Sequence, residues 1–138
     1  MHRSVWLIPV LAALMACSPK ASNVPPASIA AMAGGGGEQI YNGNCVPCHQ
    51  QSGQGIPGVY PSLTRSPVVL GDPRQFALWV VKGQRPTSMP GGRYSTLMLQ
   101  FGWMKAADAT ALLNYLRSSF GNSAPPADAA VVAEALGQ

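Results

Sequence analysis

Apolar positions along the chain fall into one short unbroken run, one long gap and three helical stripes. The run covers 5–14, follows His2 and Arg3, and is closed by Leu14-Met15-Ala16-Cys17. At about ten residues it is half of what a membrane-crossing helix needs, and 1–16 reads as a secretory signal. Over 18–36, Ser, Ala, Pro and Gly replace almost every large apolar side chain, the composition of a flexible spacer. Helical spacing then resumes and predicts three helices. The first spans 38–44 and brings Ile40 and Tyr41 to one side. The second opens with Asp72 as N-cap and Pro73 at the first helical position, carries Phe76, Ala77, Trp79 and Val80, and stops at Gly83. The third begins at 106–108, carries Leu112, Leu113, Tyr115 and Leu116, and ends on Gly121 as a C-terminal glycine cap. No alternating run marks a strand, so the expected fold class is all-α. Loops of a dozen residues or more are uncommon in a compact domain unless they wrap something functional.

Composition says what that something is like. Only 10% of the 138 residues are charged, against about 25% in an ordinary soluble chain, and 15 Gly and 13 Pro add to the irregularity. Such a chain suits a small, loop-rich domain folded around an apolar object. The domain is expected over 37–122. The Ala-rich tail, 123–138, has room for one last short helix and carries no chemistry. A net charge of +4, scattered along the sequence, is too weak to argue for nucleic acid.

Three cysteines complete the count. Cys17, after Leu14, Met15 and Ala16, resembles the lipidated cysteine of a bacterial lipobox, which makes 17–36 a tether between a membrane and the domain. The alternative is an ordinary cleaved signal with a stray cysteine; export follows either way. The other two stand in Cys45-Val46-Pro47-Cys48-His49, leaving none for a structural disulfide. The spacing has a mechanical meaning: two thiols add to haem vinyl groups, and the histidine next to the second thiol is then held beneath the iron. A haem attached in this way supplies the core that so small a domain lacks. A thioredoxin-like thiol pair competes for the same motif, but it needs an apolar strand running into the first cysteine, and Gln39-Ile40-Tyr41-Asn42-Gly43-Asn44 is polar and helix-like. A zinc site fits less well, with two cysteines and one histidine left in the mature chain.

With the motif in place, the chain resembles class I cytochromes c, and more closely the monohaem domains in cytochrome subunits of bacterial membrane-bound dehydrogenases. Gly37, four residues before Tyr41, is similar to the small-residue crossing of the family's first and last helices, with Tyr115 as partner. The string Gly53-Gln54-Gly55-Ile56-Pro57-Gly58-Val59-Tyr60-Pro61-Ser62-Leu63 resembles the loop after the motif. The resemblance gives Pro61 the carbonyl that accepts from Nδ1 of His49, and places Leu63, Tyr60, Trp79 and Trp103 around the haem. Arg65, Arg74, Lys82, Arg85 and Arg93 are candidates for a propionate partner or a docking ring. Phe101-Gly102-Trp103 and Asn114-Tyr115-Leu116-Arg117-Ser118-Ser119-Phe120-Gly121-Asn122 also look like the dehydrogenase-subunit type. The family's Met-Pro before Phe-Gly is here Met98-Leu99.

Counting narrows the sixth iron ligand. With His2 in the signal, His49 is the last histidine, so bis-histidine ligation is excluded and the second ligand is left to methionine, lysine or water; the methionines beyond the signal are Met32, Met89, Met98 and Met104. Met32 lies in the tether, and Met104 stands too near the last helix for the chain to turn back from the iron. Met98 leaves about eight residues before that helix and sits at the family's spacing from Phe101, so it is preferred to Met89. The expected function is a periplasm-facing single-electron carrier with one covalent haem c, not an enzyme. Its expected partners are a dehydrogenase or quinol-oxidising donor, a terminal acceptor, and a membrane reached through lipid at Cys17, with the outer membrane favoured in a Gram-negative cell. An open-site haem enzyme or gas sensor, and more remotely a thiol-disulfide oxidoreductase, are the alternatives.

Overall fold

The computed structural model describes residues 35–89, 91, 94 and 96–138. The signal, Cys17 and almost all of the tether therefore lie outside the described residues. Among the described residues six helices follow one another: α1 Gly35–Asn44, α2 Val46–His49, α3 Pro67–Leu70, α4 Pro73–Lys82, α5 Ala106–Ser118 and α6 Ala129–Leu136. Among the described residues there is no strand, only one isolated antiparallel bridge between Ile56 and Tyr60. The fold is all-α, as the sequence leads one to expect.

Local chemistry explains where the helices stop. Pro47 has no amide to offer Gly43, so the first helix breaks at Cys45 and restarts as α2 with Pro47 in its first turn. The Cys45 amide still reaches the Tyr41 carbonyl (2.8 Å) and the His49 amide that of Cys45 (2.8 Å), so the break costs little direction. Asp72 caps α4 by accepting from the Arg74 amide at 2.9 Å, and Gly83, at φ 70°, turns the chain so that the Gln84 amide reaches Leu78.

The end of α5 differs from expectation. The helix stops at Ser118, with Ser119 extended and both Phe120 and Gly121 at positive φ, so Gly121 is not its glycine cap. Asn122 does that work instead. Its Nδ2 donates to the Leu116 carbonyl (2.8 Å) and to Leu63 (3.1 Å), while its Oδ1 accepts from the Arg65 amide (2.7 Å). The left-handed Phe120 swings its ring onto Tyr41, 5.1 Å between centroids, and edge-on to Tyr115 at 5.8 Å.

α1 crosses α5 at Gly37. A Cβ there would lie 2.1 Å from the Ala111 carbonyl oxygen and 2.8 Å from Cβ of Tyr115, so only glycine lets the backbones meet. Buried Arg117, on α5, sends Nη2 to the carbonyls of Leu70 (3.1 Å) and Gly71 (3.0 Å), tying α3 to the last long helix. The stretch 123–138 carries α6, capped by Asp128 and Gly137, which packs on α4 and α5 with Val132 and Leu136 buried.

Candidate haem site

Five elements and their loops enclose a cavity of about 520 Å³. The turn from α1 into α2 contributes Cys45, Cys48 and His49; the next loop Tyr60, Pro61 and Leu63; α3 Val68 and Val69; α4 Phe76, Trp79 and Val80; α5 Leu112 and Leu116. The long loop between α4 and α5 closes it with Met89, Met98 and Phe101. Leu97 and Leu99, 91% and 75% exposed, stand at its mouth.

His49 is buried, and its Nδ1 lies 2.9 Å from the Pro61 carbonyl oxygen. A carbonyl only accepts, so the proton sits on Nδ1 and Nε2 keeps its lone pair. Burial, opposed by the bond to Pro61, lowers the pKa of His49, which keeps the ring neutral and able to ligate a metal. Gly55 makes this arrangement possible. At φ 65°, a Cβ on it would press within 2.4 Å of the Tyr60 oxygen and 2.5 Å of the Pro61 oxygen.

Cys45 and Cys48 are free thiols on the same wall. Burial first, and the neighbouring Cys48 second, push the Cys45 thiol up to about 11. A nucleophilic redox cysteine needs the opposite shift. The helix leading into Cys45, where a thioredoxin-like pair needs an apolar strand, turns the motif away from thiol exchange. Among the described residues no group of three or more His, Cys, Asp or Glu could hold a bare metal ion. An iron that brings its own ring of equatorial ligands fits the donors present: two thiols for attachment, one imidazole lone pair, two thioethers and an otherwise apolar lining.

The structure brings Cys45, Cys48, His49, Pro61, Leu63 and Met98 to one cavity, with Tyr60 and Trp79 beside them. Trp103 is a correction. It is 59% exposed, stands outside the lining, and meets the edge of Phe101 at 6.3 Å. The Phe101 amide donates to Val80 (2.9 Å) and the Met104 amide to Phe101 (2.8 Å), a turn that sends Phe101 and Met104 inward and Trp103 out. Sequence reasoning missed Phe101 as a lining residue; its position before Gly102 was the available signal. Of the five cations considered, Arg85 lines the cavity, Arg93 lies outside the described residues, and Arg74 pairs with Asp72 on the surface at 3.8 Å.

Fold and site define a c-type cytochrome. The sequence profile of the Cytochrome c family matches residues 36–120, and the chain belongs to that family: it carries haem c covalently and transfers electrons. It is similar to a cytochrome c-552 of Thermus thermophilus, with 32% identity over 98 residues, 67% of this chain and 66% of that protein. A second Thermus thermophilus cytochrome c-552 is 32% identical over 92 residues, 63% of this chain and 70% of the relative. The cytochrome c subunit of the quinone alcohol dehydrogenase of Gluconobacter oxydans is 29% identical over 94 residues. That match covers 67% of this chain and 20% of the subunit. The matched stretch thus spans about two thirds of the cytochromes c-552 and a fifth of the dehydrogenase subunit. Among the described residues no helix is long and apolar enough to cross a membrane.

Proposed function

We propose that this cytochrome shuttles single electrons in an exported respiratory or dehydrogenase-linked chain, on a haem that Cys45 and Cys48 would attach and whose iron His49 and Met98 would ligate. Each of the two thiols would hold the haem by adding across a vinyl group, sulfur to one carbon and hydrogen to the other, so that nothing is released. Bound there, the haem supplies a one-electron ferric/ferrous couple. His49 offers Nε2 while Pro61 holds its proton on Nδ1, which aims the ring and makes it a stronger donor. Met98 offers a thioether, which favours reduced iron and a higher potential. Leu63, Trp79 and Phe76 keep the interior apolar. The observation that carries the reading is an imidazole whose Nδ1 is held by the Pro61 carbonyl, two cysteines not joined to each other, and two thioethers, all facing one apolar cavity.

Both Met89 and Met98 line that cavity. Spacing supports Met98: it stands eight residues before the start of α5, and the nearby Phe101 amide is fixed to α4. The dehydrogenase-subunit relative supports a dehydrogenase or quinol-oxidising complex as electron donor and a terminal oxidant as acceptor. Lipid at Cys17, with 17–36 as tether, would keep the domain at a membrane facing the periplasm, the outer membrane in a Gram-negative cell. Two or more acyl chains anchor stably.

Expression with a c-type maturation system, acid–acetone extraction and a reduced-minus-oxidised spectrum test the haem and its attachment. Colour that stays with the protein, together with a low-spin six-coordinate spectrum, is expected. A colourless protein with two titratable thiols would overturn the reading, and a high-spin spectrum with rapid carbon monoxide binding would replace it with an open-site one. Mass spectrometry of the membrane fraction tests the anchor, for which an N-terminus at Cys17 carrying a diacylglyceryl group and an amide-linked acyl chain is the expected result.

A further inference from the structure

α6 lies beyond the residues matched by the family profile, and none of its side chains lines the cavity. It is nonetheless pinned to α5 at both ends. The Ala127 amide donates to Oδ1 of Asn114 at 2.7 Å, and the Ala106 amide, the first of α5, donates to Oε1 of Gln138 at 3.0 Å. Amides in the first turn of a helix have no partner within it, so Gln138 caps α5 from 32 residues away. Between these ends Val132 and Leu136 are buried in the cluster that holds Met104, Phe76 and Val80.

The chain from Met98 to α5 runs between the two surfaces that α6 joins. It is tied to α4 where the Phe101 amide meets Val80, buried at Met104, and tied to α6 at Ala106. Eight residues of irregular backbone have no ladder of their own, so the place of Met98 follows from these ties.

We propose that α6 is a strut that positions the sixth-ligand loop, with Gln138 and Val132 as positioning residues that keep Met98 on the iron. This rests on the reading of Met98 as ligand. Freeing the first turn of α5, or loosening α6 from the cluster it shares with α4, lets 98–106 drift and Met98 leave more often.

The test uses the full-length holoprotein at 25 °C. Carbon monoxide binding to the reduced form reports departure of the sixth ligand, and the midpoint potential is read alongside. Gln138→Ala, which loses one neutral hydrogen bond, and Val132→Ala, which removes two buried methyl groups from the shared cluster, are each expected to speed binding by about three- to tenfold, and to lower the potential. Gln138→Glu keeps an acceptor at the helix start and is expected to return the rate to within about twofold of the parent. Tyr115→Leu, which loosens the α1–α5 crossing away from the cavity, controls for plain loss of stability: it is expected to lower Tm and leave the rate unchanged. A Tyr115→Leu rate raised as far as those of the α6 variants, or α6 variants that change Tm alone, would overturn the proposal. Met98→Ala judges the ligand reading separately, because it must bind carbon monoxide faster than the parent whatever the α6 variants do.

Discussion

At the scale of single residues, Gly55 and Tyr41 show how backbone placement reaches the iron ligand. The Gly55→Ala variant forces a Cβ against the Tyr60 and Pro61 carbonyls and strains a positive φ, with an expected loss of about 1–3 kcal/mol in urea unfolding. As the Pro61 oxygen moves off Nδ1, His49 becomes a weaker donor, oxidised iron is stabilised less, and the midpoint potential rises. An unchanged potential in a destabilised Gly55→Ala protein would detach Pro61 from that role. Tyr41 is fully buried and donates its hydroxyl to the Gln50 carbonyl, at the end of the motif helix. Burial, the largest cause, pushes it up to about 12 from an ordinary 10. The unfolded chain therefore gives up this proton first. The contribution is fully present below pH 10 and is lost as the pH climbs towards 12. Tyr41→Phe is expected to cost about 1 kcal/mol at pH 7, and the gap to the parent should close above pH 10. Parallel alkaline stability curves for the two proteins would contradict this.

Among the elements, α3 is the smallest and depends most on a partner. Four residues make one turn, yet Val68 and Val69 form part of the cavity wall. Arg117 holds the turn from its C-terminal side through two carbonyls. Arg117→Leu leaves both without their donor and is expected to cost about 2–4 kcal/mol in thermal or urea unfolding. A loss under about 0.5 kcal/mol, the range of ordinary surface changes, would show that the turn stands by itself. Legibility in the sequence follows the same logic. α4 could be read because Asp72, Pro73 and Gly83 each act on their own backbone. α3 could not, since one turn of Pro-Val-Val-Leu has no period and its anchor lies 46 residues away from Gly71. The end of α5 differs from the expectation because Gly121 does take a positive φ, but two residues beyond the cap position at Ser119, and it is Asn122 that donates to the Leu116 carbonyl. Trp103 was misplaced because two aromatics either side of Gly102 look alike until the turn decides which faces in.

The whole molecule is a charge-poor chain, 10% charged, folded around a cavity that the loops after α2 and α4 and five of its six described helices help to close. The attachment motif could be read because its spacing is itself the chemistry. The choice between two thioethers could not be read with the same force, because both reach the cavity and only the chain's path to α5 separates them. The most direct measurement is the near-infrared sulfur-to-iron band of the oxidised protein, compared in Met98→Ala and Met89→Ala. The account predicts that the band disappears in Met98→Ala, with a fall in midpoint potential, and persists in Met89→Ala. A band that survives in Met98→Ala and vanishes in Met89→Ala would contradict it.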